Sequence, residues 1–144
     1  GYYCGTILIE LDRVGEKSIG DKYDLSLSNT EKAKRVLALI DAIQNLWTVG
    51  RQSRFLSDIS PKLVCASLMN VKNPIFMESI RINNKDFIDT KLIMNTIVDF
   101  KNQIIYSTIG ERKGFFGVDT EEFQSLGNCF ETIRGWVKEA YNVK

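Results

Sequence analysis

Apolar and polar residues alternate at the start of the chain. Over residues 1–14, Ile7, Ile9 and Leu11 occupy every second position. A period of two is typical of a strand that buries one face of a sheet, because successive side chains point to opposite faces. We therefore predict a strand in this segment.

Three further strands are predicted from short apolar segments. Residues 63–69 form a nearly continuous apolar run, residues 75–82 alternate again, and residues 104–109 are rich in β-branched and aromatic side chains. A turn over residues 70–74 separates the first two, so we predict that they pair as a hairpin. A glycine-punctuated loop over residues 110–117 should follow the last strand.

Three segments carry the three-and-four spacing of amphipathic helices. Ser28 and Glu31 have the spacing of a capping box, so a helix should begin there. Its predicted buried face consists of Ala33, Val36, Leu37, Ile40, Ile43 and Trp47. A second helix carries Ile88, Leu92, Ile93, Ile97 and Phe100. The last segment, one helix or two with Gly127 as the candidate break, carries Phe123, Leu126, Phe130, Ile133, Trp136, Val137 and Tyr141.

Together these elements predict one α+β domain spanning residues 1–144. Their order is strand, helix, strand, strand, helix, strand, helix, which favours a mostly antiparallel sheet backed by helices. The early helix cations Lys32, Lys34 and Arg35 are predicted to form a solvated face, and Trp47 and Trp136 to pack in the core.

Composition removes several classes of protein. With 44% apolar and 26% charged residues, the chain has no apolar run of the roughly 20 residues that a membrane helix needs, so no membrane partner is predicted. Cys4, Cys65 and Cys129 are far apart, odd in number and without metal-ligand spacing. We therefore expect a cytoplasmic protein with no metal site, in which these cysteines are small buried residues.

Histidine is absent from the chain, which excludes Ser-His and Cys-His nucleophilic pairs. The carboxylates that might suggest acid-base or metal chemistry are Glu10, Asp12, Glu78, Asp119, Glu121 and Glu122. None of them forms a convincing arrangement, and Glu10 and Asp12 fit a solvated strand face. We predict no catalytic residue, no cofactor and no enzymatic activity.

The segment from Thr48 to Lys62 carries the strongest candidate binding chemistry. Because 19 Lys and Arg nearly balance 18 Asp and Glu, a polyanion must be held by a local patch. Such a patch is offered by Gly50, Arg51, Gln52, Ser53 and Arg54, with Lys62 as a weaker neighbour. Glycine allows close backbone approach, arginines fork onto phosphate oxygens, and Gln and Ser add hydrogen bonds. The alternative is an exposed loop in which one arginine pairs with Asp58.

A resemblance to a known family favours the binding interpretation. The helix from Glu31 to Ile43, the Gly-x-x-x-Arg step from Gly50 to Arg54 and the Asp-Ile-Ser-Pro sequence of residues 58–61 resemble the DevR-type backbone subunits of type I CRISPR Cascade complexes. The Ile-Glu-Leu-Asp-Arg-Val-Gly sequence of residues 9–15 is similar to the strand leading into that helix. The likeness covers about residues 2–70, is weaker over residues 104–117, and meets only a generic helix at the C-terminus.

The resemblance implies a ferredoxin-like, RNA-recognition-motif-like fold and a role in antiviral defence. The family's partners would be crRNA, target nucleic acid, copies of the chain itself and other CRISPR effector subunits. Family members commonly carry a glycine pair where this chain has Gly50 and Arg51. The family's N-terminal strand has no counterpart here, so we expect the chain to be N-terminally truncated, a C-terminal portion of such a subunit.

A second candidate site is the loop over residues 110–117. Its Lys-Gly-Phe-Phe-Gly-Val sequence, starting at Lys113, is loosely similar to an RNA-recognition-motif signature, and Phe115 or Phe116 is a candidate for stacking on a base. The alternative is a plain loop with a buried phenylalanine. Two other functions stay open for the chain as a whole: an RNA-processing endonuclease on the same fold, and a domain that binds only protein.

Overall fold

The structure, a computed structural model, describes residues 1–20, 22, 26–47, 58–85, 87–116 and 123–144. Three helices and three strands lie within these ranges. In chain order they are α1 (Asn29–Gln44), β1 (Leu63–Met69), α2 (Thr90–Asp99), β2 (Ile104–Glu111), β3 (Gln124–Ser125) and α3 (Leu126–Ala140). The predicted α+β class is confirmed.

The described strands form one mixed sheet in the order β1-β2-β3. β1 runs antiparallel to β2, from Leu63 opposite Glu111 to Met69 opposite Ile104. β3 is short and parallel to β2, with Gly110 opposite Gln124. β2 is therefore the central strand, and the polypeptide passes from β3 directly into α3.

The predicted hairpin between residues 63–69 and 75–82 is wrong. Residues 75–79 form a turn in which the amides of Met77 and Ser79 donate to the carbonyl oxygens of Pro74 and Phe76. Proline fixes its own φ and favours such turns, which apolar alternation does not reveal. β1 pairs instead with β2, and residues 75–82 contribute only an isolated bridge from Ile82 to Ile88.

The predicted N-terminal strand is also wrong. Residues 1–10, all in the described part of the chain, form neither helix nor strand, and residues 11–15 form turns. Ile7 and Leu8 are both more than half exposed. Alternation shows which side chains would share a face, but a strand forms only where a neighbouring strand pairs with it.

The predicted start of α1 is confirmed by its cap, whereas the cap of α2 was not predicted and follows Ile88, which the sequence had placed on that helix. Ser28 Oγ accepts a hydrogen bond from the Glu31 amide at 3.3 Å, and α1 begins at Asn29, directly after Ser28. The side chain of Asp89 accepts a hydrogen bond from the Leu92 amide at 3.1 Å, and α2 begins at the following residue, Thr90. A side-chain oxygen at this position satisfies an amide that has no partner inside the helix.

The chain forms two compact units, and the prediction of one domain stays a prediction. The first unit comprises Gly1–Glu10 and Leu63–Cys129. Its core consists of Ile88, Ile93, Ile109, Phe116 and Phe123. Partly buried residues from β1 and α2, among them Cys65 and Ile97, pack against that core. α2 therefore covers a face of the sheet.

The second unit comprises Leu11–Lys62 and Phe130–Lys144. α1 buries Ala33, Val36 and Ile40 as predicted, but the helix ends before Trp47, which is 57% exposed, so its predicted core position is wrong. Trp136 is half-buried. α3 continues through Gly127 without a break.

Polar contacts join the segments of the second unit. Lys32 is buried, contrary to prediction, and forms an ion pair with Glu16. Lys34 and Arg35 are exposed as predicted. The side chain of Arg134 on α3 lies 2.7 Å from the Asp41 carboxylate of α1. The Tyr141 hydroxyl donates to the carbonyl oxygen of Leu11 at 2.6 Å.

Candidate nucleic-acid interface

Most of the predicted binding residues lie outside the described part of the chain. The structure does not describe residues 48–57, which include Gly50, Arg51, Gln52, Ser53 and Arg54. The two flanks of this segment are described. α1 ends at Gln44, where the Asn45 amide caps the helix by donating to the Asp41 carbonyl oxygen at 3.0 Å. The chain is described again from Asp58.

A compact turn stands at the C-terminal flank of residues 48–57. Asp58 Oδ1 accepts hydrogen bonds from the Ser60 amide at 2.9 Å and from Ser60 Oγ at 2.5 Å. Lys62 Nζ lies 2.9 Å from Asp58 Oδ2 and donates to the Ser60 carbonyl oxygen at 2.7 Å. The hydrogen bonds from Ser60 and Lys62 hold the pKa of the Asp58 carboxyl well below its ordinary value.

This turn changes the role that the sequence gives to Lys62. The Lys62 side chain is 16% exposed, and its ammonium bridges Asp58 and Ser60. The alternative left open by the sequence pairs Asp58 with Arg51 or Arg54, which lie outside the described residues, and the structure shows an ion pair of Asp58 with Lys62 at the i,i+4 spacing. Lys62 therefore fixes the chain just before β1, and contact with a phosphate requires its ammonium to exchange partners.

Lys113 lies in the turn after β2 and joins that turn to the residue before β3. Its ammonium donates to the Phe123 carbonyl oxygen at 2.8 Å and lies 3.7 Å from the Glu111 carboxylate. Gly114 has a φ of +79°, a conformation that favours glycine. The Lys113 side chain is nevertheless 43% exposed, so part of it faces solvent.

Glu111 is a buried carboxylate that sequence reasoning missed. It is 1% exposed at the end of β2, and Lys113 is its nearby cation. One signal was available. The period of two places residue 111 on the same face of the strand as Ile109, whose side chain lies in the core. The Lys two positions later supplies the opposite charge that a buried carboxylate requires.

Three aromatic rings cluster beside this turn. Phe115 and Phe116 meet edge to face, with ring centroids 4.8 Å apart. Tyr2 lies 6.4 Å from Phe115 and 5.8 Å from Phe116, again between ring centroids. Phe116 is 6% exposed, as expected of a buried loop phenylalanine, whereas Phe115 is 43% and Tyr2 53% exposed. Of the two candidate stacking rings, only Phe115 is accessible.

An open groove lies on the first unit between α2, β2 and β3. It has a volume of about 200 Å³. Its lining consists of Met94, Ile97, Ser107, Thr108, Ile109, Phe123 and Gln124. Gln124 Nε2 donates to Thr108 Oγ1 at 3.0 Å, so these two polar side chains of the lining are hydrogen-bonded to each other.

The three cysteines differ in their surroundings. Burial raises the pKa of the Cys65 thiol to about 12, and it also raises the pKa of the buried Cys129 thiol. Cys4 is exposed, so the prediction of a buried residue is wrong at that position. All three are free thiols. A protonated thiol is a poor nucleophile, so Cys65 and Cys129 should react slowly with electrophiles.

Two observations concern metals and membranes. Among the residues that the structure describes, no three or more Cys, Asp or Glu side chains are grouped as metal ligands would be. None of the helices within the described ranges has the length and apolar character needed to cross a bilayer.

Comparison with protein-family models, with curated proteins and with solved structures finds no match to this chain.

Proposed function

We propose that the chain binds the backbone of guide RNA as a repeated, non-catalytic subunit of a CRISPR interference complex. One observation carries the proposal: the arginine-containing segment, residues 48–57, lies between two fixed flanks. α1 is capped at both ends, and the Asp58–Ser60–Lys62 turn holds the chain before β1. When the residues flanking a binding segment are already ordered, less of the surrounding chain has to be ordered on binding.

The chemistry of Arg51 and Arg54 suits phosphate. A guanidinium presents a planar fork that matches two phosphate oxygens, and Gly50 adds a position where the backbone can approach closely. Each phosphate neutralised on a single strand contributes a slope of roughly −0.7 to log K against log salt. A single copy would bind weakly, and repetition along one RNA would supply avidity.

The ferredoxin-like arrangement and the partners belong to the same proposal. The fold is supported by the antiparallel pairing of β1 with β2 and by the packing of α2 on the sheet. Self-association is supported by exposed apolar side chains on α2 and β2, namely Met94, Val98 and Ile105. Target nucleic acid and other effector subunits complete the expected set of partners.

The direct test is a pair of double substitutions that remove equal charge. Arg51→Ala/Arg54→Ala should weaken binding of fluorescent single-stranded RNA and reduce the salt slope by about 1.4, since two phosphate contacts are lost. Lys34→Ala/Arg35→Ala removes two cations from an exposed face of α1 and should leave the slope unchanged. Equal losses in both variants would show only general electrostatic attraction, and unchanged binding in the first would refute the proposal.

The exposed Met94, Val98 and Ile105 also favour a second candidate, a domain that binds only protein. The two candidates differ in a simple measurement. A protein-only domain would self-associate in sedimentation experiments while showing no RNA-dependent change in fluorescence anisotropy. The RNA-binding candidate requires both signals, and Met94→Ser/Val98→Ser should reduce the first without changing the salt slope of the second.

A further inference from the structure

We infer that Tyr2 and Phe115 form a stacking site for one unpaired base of single-stranded RNA. The inference rests on the proposed function, because it names the part of the RNA that this second surface binds. Its first support is the division of roles among three rings. Phe116 is buried in the core cluster, whereas Phe115 and Tyr2 keep about half of their surface exposed. The Tyr2 and Phe115 rings are nearly perpendicular, with an interplanar angle of 82°, so a flat base that stacks on one ring meets the other at its own edge.

The Phe115 part of this two-ring platform is held in place by its own turn. The Phe115 amide donates to the Arg112 carbonyl oxygen at 3.0 Å, which closes the turn. Gly114 supplies the positive φ of that turn, and the Lys113 ammonium joins it to the Phe123 carbonyl oxygen. The edge-to-face contact with Phe116 restricts the Phe115 ring itself. A ring that is already fixed loses little entropy when a base stacks on it.

The charge around the platform selects a nucleic acid over an apolar peptide. Arg112 is exposed in the same turn, and the side chain of Lys113 is 43% exposed. Within the described part of this turn, residues 111–116, the carboxylate is Glu111, which is 1% exposed and so presents almost no negative surface. Aromatic faces beside cations are the combination by which proteins hold single strands, since every base has a π-face and every nucleotide a phosphate.

The experiment compares Phe115→Leu with Tyr3→Leu in the full chain. Leucine keeps an apolar side chain at residue 115 but removes the aromatic face. Tyr3 is fully exposed, so its substitution removes an aromatic side chain outside the three-ring cluster. We expect Phe115→Leu to weaken binding of a short single-stranded RNA by about 5-fold to 150-fold, the range of base–aromatic stacking. Tyr3→Leu should bind as the parent does.

Two further readouts separate stacking from phosphate binding. Phe115→Leu should leave the salt slope unchanged, whereas Arg51→Ala/Arg54→Ala should reduce it. An abasic oligonucleotide should bind the parent more weakly than the intact strand and should be indifferent to Phe115→Leu. A 2-aminopurine base should lose fluorescence on binding the parent and less on binding the variant. Thermal unfolding of Phe115→Leu checks that the turn still folds.

Each outcome has one meaning. Equal binding of the intact strand by Phe115→Leu and the parent overturns the stacking site and leaves the proposed function standing. Equal losses in Phe115→Leu and Tyr3→Leu also overturn it, because any aromatic side chain would then serve. A parent protein that binds no RNA overturns both proposals together.

Discussion

The unit of Gly1–Glu10 and Leu63–Cys129 has an apolar core, a strand ladder and an exposed ion pair between Lys72 and Glu10. In the unit of Leu11–Lys62 and Phe130–Lys144, by contrast, ion pairs join α1 to α3 and to the residues before α1. In the first, Ile93 is completely buried within the core. In the second, an ion pair joins Arg134 of α3 to Asp41 of α1, and another joins Lys32 to Glu16. Both units also bury apolar side chains of their helices.

The two units should therefore respond differently to changes of pH and salt. Burial of apolar surface depends little on pH or salt, since no charge is involved. Interactions between partly exposed charges weaken as salt rises and disappear when one partner is neutralised. Substitutions chosen in each unit therefore test this difference in pH and salt dependence.

Ile93→Ala should have the largest effect. Removing a completely buried isoleucine side chain destabilises proteins by about 2–5 kcal/mol, through lost transfer free energy and the cavity left behind. Urea unfolding at neutral pH measures the change. Met94→Ala is the control, since its side chain is 37% exposed on the same helix. Similar losses in the two variants would contradict the assignment of Ile93 to the core.

Gly110→Ala should be the next most destabilising change. A Cβ at residue 110 would lie 2.3 Å from the Cβ of Cys129 and 3.2 Å from the Ser125 carbonyl oxygen. Overpacking of this kind typically costs about 1–3 kcal/mol. Gly135→Ala, within α3 and with nothing within 4 Å of the added Cβ, should instead stabilise by about 0.5–1 kcal/mol. Thermal unfolding midpoints should therefore move in opposite directions.

Arg134→Lys tests the polar attachment of α3. Lysine keeps the charge but loses the planar fork that reaches Asp41, Glu131 and Gln44. We expect a loss of about 1 kcal/mol, which shrinks in concentrated salt. Arg35→Lys is the matched control, because Arg35 is 59% exposed and its ion pair within the described residues is a long one, 3.6 Å to Glu31. A salt-independent loss would indicate packing of the arginine stem instead.

Glu16→Gln should give the smallest effect and one that depends on pH. Hydrogen bonds from Lys32 and then Ser26 lower the pKa of Glu16 below its ordinary 4.5. A lowered pKa means that the stabilisation is present above the unfolded value and is lost as pH falls through the folded value. The parent should therefore exceed the variant in thermal midpoint at pH 7, and the difference should vanish in strong acid. A constant difference across this range would contradict the ion pair.

The sequence predicted features that depend on neighbouring residues. The Ser28 cap bonds an amide only three residues away, so the start of α1 could be predicted, whereas the local cap at Asp89 was overlooked because the apolar spacing was counted from Ile88. Strand pairing joins distant segments, and nothing within residues 75–82 reveals that β1 pairs with β2 instead. Trp47 was misplaced because helical spacing continues in the sequence beyond the residue where α1 ends.

In the candidate site, too, contacts between neighbouring residues could be predicted and contacts between distant residues could not. The pairing of Lys62 with Asp58 follows the i,i+4 spacing and was available from the sequence. The hydrogen bond from Lys113 to Phe123 and the contacts of Tyr2 with the phenylalanines span longer distances along the chain. No local pattern predicts them, because they depend on how the turn after β2 packs.

The unequal exposure of the cysteines makes the protein convenient to label. Cys4 is exposed, whereas Cys65 is partly buried, Cys129 is buried, and burial raises the pKa of both thiols, so Cys4 should react fastest with a maleimide or iodoacetamide reagent. A dye should therefore attach preferentially at one native position, two residues from the Tyr2 ring. Such a conjugate would report the arrival of an oligonucleotide at the aromatic cluster without any engineered cysteine.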